Sequence, residues 1–197
     1  MGQYYLIVNL DKKQYLTPHK FGNGSKLLEF GSSGQGTMLA LATLLASGNG
    51  RGGGDVFSSK FRTAKTLYYN QIQTKDKKAK CPKEILNSPL IGSWAGDRIV
   101  VAGDYMDPNI FLTAKQKRQF STVLKKEYQK RVNEGDSYCQ NIPLNQFLKN
   151  NMILYKYAQE FFKDISKNII AVLKDAGEDI RDGSEMRGLM EKRTVKI

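Results

Sequence analysis

The sequence predicts an α+β domain, and three observations carry that expectation. The chain opens on β-branched and aromatic residues from Tyr4 to Leu10, a block of helix-forming apolar residues runs from Met38 to Ala46, and the C-terminal half turns to helical patterning. At 197 residues the chain is long enough for one hydrophobic core and short for two, so a single domain is expected. Residues 1–55 and 90–110 should supply a small, mostly antiparallel sheet and a buried helix, 56–89 a basic insertion, and 112–197 a helical part.

Taken in order, Tyr4 to Leu10 and Gln14 to Leu16 read as two strands joined through Asp11 to Lys13, an opening hairpin. Pro18 to Gly24 breaks structure, and Lys26 to Phe30 fits a short strand or a short helix. Thr37 offers an N-cap for a helix from Met38 to Ala46, buried on nearly every side, with Gly48 as the residue that ends it. Val56 to Lys83 has no clean period and reads as an insertion with some helix at its start. Ser93 to Arg98 form a turn into a strand from Ile99 to Tyr105, which Asp107 and Pro108 end. Thr113 can cap a helix from Ala114 to Asn133, with Phe120, Val123, Leu124 and Tyr128 on one face and the lysines on the other. Asn145 to Lys163 and Ser166 to Leu173 are further helical stretches, and Glu178 to Ile197 a short helix and tail.

Charge is regional. Of a net +12, residues 56 to 83 hold eight Lys or Arg against Asp76, and residues 112 to 131 hold seven against Glu127, which leaves the remainder close to neutral. A polyanion-facing surface has this distribution. In the first segment Lys60, Arg62, Lys65, Lys75, Lys77, Lys78 and Lys80 surround Tyr68 and Tyr69, pairing phosphate neutralisation with stacking platforms. In the second stand Lys115, Lys117, Arg118, Lys125, Lys126, Lys130 and Arg131. The competing reading of such lysines is a solvated helix face.

Glycine is equally concentrated, with ten of 18 residues between Gly22 and Gly54. The spacing from Gly31 through Gly34 to Gly36 and Thr37, just before a helix, is that of a phosphate loop, where backbone amides and the positive helix end meet an anion. The loop lacks the lysine that should precede Thr37, so a tight turn into the helix is the stronger reading. Gly48 to Asp55, with Arg51, Gly53 and Asp55, could form an anion nest or a surface loop. His19 is the single histidine, and catalysis there needs an orienting carboxylate such as Glu29, Asp55 or Asp97. Asp97 and Asp104 flank a strand seven positions apart and so face opposite ways unless Gly103 forms a bulge. Asp97 and Arg98 are expected to anchor a turn, and Trp94 to pack at the core edge. Cys81 and Cys139 support neither a disulfide framework nor a zinc site, and no cofactor is implied. No apolar run approaches the ~18 residues that span a bilayer, and the N-terminus lacks a secretory pattern. A soluble intracellular protein is the expectation.

The segments Met1 to Leu16, Pro18 to Gly22, Lys26 to Gly31, Gly36 to Met38, Gly50 to Asp55, Trp94 to Tyr105 and Phe162 to Ser166 resemble a widespread set of small uncharacterised intracellular proteins. The resemblance implies a shared α+β scaffold and brings no activity. Those relatives have fewer residues between the glycine loop and the Trp94 strand, which implies that part of 56–83 is an addition. The sequence therefore leads to a non-catalytic binding or assembly protein that contacts RNA or a ribonucleoprotein through its two basic segments. The alternatives are an enzyme or nucleotide-binding protein built on the glycine loops with His19 and Asp55, and a protein-interaction subunit using the amphipathic C-terminal helices.

Overall fold

The structure, a computed structural model, describes residues 3–32, 36–47, 67, 70, 88–105 and 111–180. The N-terminal hairpin forms as the sequence predicts: β1 (Tyr5–Asn9) pairs antiparallel with β2 (Gln14–Leu16), Ile7 opposite Leu16 and Asn9 opposite Gln14. Asn9 builds the turn, its Oδ1 accepting from the amides of Asp11 (3.0 Å) and Lys12 (2.8 Å), while Lys13 takes the left-handed conformation at φ 54°. β3 (Ile99–Gly103) lies antiparallel on the far side of β1, and its register runs unbroken through Gly103 opposite Tyr5, so there is no bulge. β4 (Lys163–Asp164) pairs parallel with β2 and completes the order β3-β1-β2-β4.

Seven helices among the described residues pack this mostly antiparallel sheet, which makes the fold α+β: α1 (Leu27–Gly31), α2 (Thr37–Leu45), α3 (Ala114–Asn133), α4 (Ser137–Asn141), α5 (Leu144–Asn151), α6 (Leu154–Phe161) and α7 (Ser166–Asp175). Because side chains alternate along a strand, β1 sends Ile7 into one core and Leu6 and Val8 into another. Ile7 and Leu16 meet Phe30 of α1, Ala40 and Leu44 of α2, Trp94, and Ile169, Ile170 and Leu173 of α7. Leu6, Val8 and Ala102 meet Phe120 and Leu124 of α3, Cys139 of α4, Phe147 of α5, and Leu154, Tyr157 and Ala158 of α6. A strand covered on both faces reads as a continuous apolar run, and β1 does. Each such fully buried Leu, Ile or Phe contributes about 1.5–3 kcal/mol.

Several boundaries differ from the expected ones. The Lys26 to Phe30 stretch resolves as helix, Leu27–Gly31, with the Glu29 carboxylate turning back to accept from the Lys26 amide (3.0 Å) at its start. The predicted continuous helix from Asn145 to Lys163 is instead α5, a break at Met152 and Ile153, α6 and then β4; Ile153 adopts extended backbone and its side chain is buried. Ser137–Asn141 forms a helix the sequence reading missed, capped by Asp136, whose carboxylate accepts from the amides of Tyr138 (2.9 Å) and Cys139 (3.1 Å). Helix α2 is less enclosed than predicted, with Ala42 and Leu45 exposed. Its last carbonyls are met by the loop before β3: the amides of Gly92 and Trp94 donate to the carbonyls of Thr43 (2.9 Å) and Leu44 (2.8 Å). A Cβ on Gly92 would lie 2.2 Å from the Ala46 carbonyl oxygen, so only glycine permits that approach.

The two ends of the described chain are stapled at Asp164. Its carboxylate accepts from Lys20 Nζ (2.7 Å), Thr17 Oγ1 (2.9 Å) and the Ser166 amide (2.9 Å), and Ser166 Oγ accepts from the Thr17 amide (2.8 Å). Burial pushes the Asp164 carboxyl up, but the donors Lys20, Ser166 and Thr17 outweigh it and hold it below the usual carboxylate range. The parallel pairing of β4 is built on this staple. Its two residues carry no strand pattern of their own.

Candidate nucleic-acid interface

Helix α3 has the bounds the sequence predicts. Thr113 caps it: its hydroxyl accepts from the Gln116 amide (3.3 Å), and the Gln116 side chain accepts from the Thr113 amide (2.8 Å). One face packs down. Phe120 meets Tyr157 edge-on at 5.4 Å and Phe161 at 5.9 Å between ring centroids, Leu124 is buried, and Tyr128 donates its hydroxyl proton to the Ile142 carbonyl (2.9 Å). That seating fixes which residues turn outward.

At 100° per residue, the outward face spans an arc of about 140°. It carries Lys115, Arg118, Gln119, Thr122, Lys125, Lys126, Gln129, Lys130 and Asn133, all exposed and none acidic. Five cations therefore stand among amides and a hydroxyl along about 22 Å of helix. Among the described residues, ion pairing on this stripe is confined to Lys130 with Glu134, at 3.8 Å and highly exposed, a contact worth at most a few tenths of a kcal/mol. Cations are the groups that neutralise phosphates, and side-chain amides are able to hydrogen-bond sugars and bases.

The other α3 cations the sequence singled out fall elsewhere. Lys117 is half-buried on the inward side of the stripe. Arg131 is committed to the fold: its guanidinium donates to Asp136 (2.9 Å) and Glu127 (3.4 Å) and lies over the rings of Tyr138 and Phe147, 6.0 and 5.8 Å from their centroids. The Arg131 guanidinium, followed by the Cys139 amide, holds the Asp136 carboxyl below the usual carboxylate range. The first basic segment, with Lys60, Arg62, Lys65, Tyr68, Tyr69, Lys75, Lys77, Lys78 and Lys80, lies outside the described residues, as does Cys81. Cys139 is a free, buried thiol.

The glycine loops are described only at their junction with α2, since Gly34, Arg51, Gly53 and Asp55 lie outside the described residues. There the helix does not start as predicted. Thr37 is its first residue rather than its cap; Gly36 occupies the cap position at φ 83°, and the group that satisfies the helix start comes from another loop. Asn23 Oδ1 accepts from both the Thr37 amide (2.9 Å) and the Thr37 hydroxyl (2.8 Å). A Cβ on Gly36 would sit 2.5 Å from that oxygen, so Gly36 makes room for Asn23. Asn23 thus fills the place at Thr37 that a phosphate oxygen would take. Asn23→Ala is expected to lower stability by about 1–2 kcal/mol in urea titrations, the usual worth of a helix cap. Wild-type protein is expected to show no thermal shift with ATP or GTP, and a shift abolished by Gly36→Val would restore the nucleotide reading.

The remaining candidates serve the hairpin. Asp97 accepts from Asn9 Nδ2 (2.8 Å) and pairs with Lys12 at 3.3 Å, and Arg98 binds Asp11 through its side chain and its amide, so both anchor a turn as predicted. Asp104 accepts from the Tyr4 amide (3.1 Å) at the opposite end of β3, about 20 Å away at strand spacing, so the two carboxylates make no pair. His19 contacts the Asn23 carbonyl through Nδ1 (3.3 Å) and the Tyr4 ring, whereas Glu29 turns to Lys26 and Asp97 to Asn9. Trp94 is fully buried and donates through Nε1 to Gln14 Oε1 (2.8 Å), a core residue. Among the described residues no three His, Cys, Asp or Glu are grouped to hold a metal ion, and no helix is long and apolar enough to cross a membrane. No protein-family model, curated protein or solved structure matches the chain.

Proposed function

We propose that the protein is a non-catalytic RNA-binding or ribonucleoprotein assembly factor whose contact surface is the outward face of α3. The observation that carries this reading is the acid-free arc holding Lys115, Arg118, Lys125, Lys126 and Lys130, fixed in direction by Phe120 and Leu124 beneath it. A merely solubilising helix face interleaves both signs, since opposite charges spaced three or four residues apart stabilise the helix itself. Here four of the five cations forgo that support. Five cations placed on one rigid rod meet a polyanion without further ordering of the backbone.

Fluorescence anisotropy with a labelled single-stranded RNA, titrated across about 50 to 300 mM KCl, tests the reading. Engagement of all five cations is expected to give a slope of log K against log salt of about −3.5, at roughly −0.7 per neutralised phosphate on a single strand. Absence of binding at the lowest salt would end the proposal.

A further inference from the structure

At the C-terminal end of α3 an aromatic ring is held in place yet left open. Tyr138, in the first turn of α4, keeps 46% of its surface exposed. Its hydroxyl accepts from Asn150 Nδ2 (3.1 Å), its amide donates to Asp136, and the Arg131 guanidinium lies over its ring, 6.0 Å from the centroid. Arg131 is itself held by Asp136 and Glu127, so the ring is braced by a cation tied to two carboxylates. A side-chain amide pair stands at its hydroxyl: Asn150, which donates to it, accepts in turn from Gln146 (2.8 Å). The nearest acids are answered within the fold, Asp136 and Glu127 by Arg131 and Glu134 by Lys130.

Burial does not account for this arrangement, because nearly half the residue's surface remains in water. Pinning a ring has a different effect: a flat ligand that stacks on it need not freeze its side-chain rotors. Every base offers such a face, and a ring braced by guanidinium just past the C-terminal end of a basic helix has the parts of a single-strand site, a stacking platform reached by a strand that leaves the cations of that helix. A base still paired in an A-form duplex is stacked within its own helix and cannot take this place.

Resting on the α3 reading above, we infer that Tyr138 is a stacking platform for an unpaired base, so that the RNA taken by α3 is single-stranded where it passes α4. The test compares wild type, Tyr138→Ala, Tyr138→Leu and Tyr138→Phe against a single-stranded RNA and a blunt RNA duplex of the same length. Loss of one stacked base is expected to weaken single-strand binding by Tyr138→Ala roughly 5- to 150-fold. Tyr138→Leu, which keeps apolar bulk without a π face and guards against a folding defect in the alanine variant, is expected to lose as much. Tyr138→Phe should stay within about twofold of wild type, since it keeps the face. The salt slope and duplex binding should be unchanged in all three. Wild-type affinity in both Tyr138→Ala and Tyr138→Leu, or equal loss on single strand and duplex, would overturn the inference while leaving the α3 reading intact. Failure of the wild type to bind either RNA would remove both.

Discussion

Replacing Lys115, Arg118, Lys125 and Lys126 together with glutamine is expected to weaken RNA binding on the order of 10²–10³-fold near 0.1 M salt, the loss of about 0.7 decade for each phosphate no longer neutralised. The log–log salt slope should become shallower by about 3 in the same experiment. All four side chains are exposed on the outward arc, and none is in an ion pair with another described residue, so the fold should be unaffected. Glutamine is a good helix former, which keeps the backbone of α3 as it is. A parallel set in which Arg131 alone becomes glutamine should behave in the opposite way. Arg131 is tied to Asp136 and Glu127 and braces Tyr138, so its loss registers in the urea midpoint more than in the salt slope. If the quadruple variant binds RNA as wild type does, the basic arc is only a solvated face.

Trp94→Ala is expected to be the most destabilising single change, at about 3–5 kcal/mol in urea unfolding, the range for deleting a large buried aromatic. Trp94 is fully buried against the Ile7 side of the sheet and joins three pieces of chain at once. Its ring belongs to the core that residues of α2 and α7 share, its indole N–H reaches Gln14 of β2, and its amide closes the last turn of α2 on the Leu44 carbonyl. Trp94→Phe keeps most of the apolar volume and gives up the indole donor, so it should fall well short of the alanine cost. A shift of less than about 1 kcal/mol in Trp94→Ala would mean that the loop before β3 is not a core element.

Much of this architecture was legible in the sequence, and the misses share a cause. The hairpin, β3 and α3 were readable because each carries its own local signal: β-branched runs bounded by turn residues for the strands, and a capping box with a clean 3.6 period for α3. The break between α5 and α6 has no glycine or proline, and β4 exists because β2 offers it a partner 149 residues earlier, so tertiary contact decided both. Likewise, Thr37 looked like a cap from its neighbours alone, and the side chain that outcompetes it, Asn23, sits 14 residues upstream. For the candidate site, the seven basic positions of α3 could be named from the sequence, yet only the packed face separates Arg131, held by two carboxylates, from the five that point outward. Tyr138 went unmarked because α4 was not anticipated. The spacing of Asp136 to a following helical turn, an N-cap signal, would have found it.

The staple at Asp164 bears on the order in which the protein can be made. Synthesis delivers Ile7, Leu16 and Trp94 early, whereas their partners Ile165, Ile169, Ile170, Leu173 and Ile180 follow only after α6. The second core, drawn from residues 6 to 158, can assemble before Asp164 is added to the chain. A nascent chain therefore passes through a stage with one face of its sheet fully clad and the other covered only by α1, α2 and the Trp94 loop. At about 5–20 residues per second, the stretch from α6 to Ile180 takes on the order of seconds to arrive, and the Ile7 face stays half covered until it does.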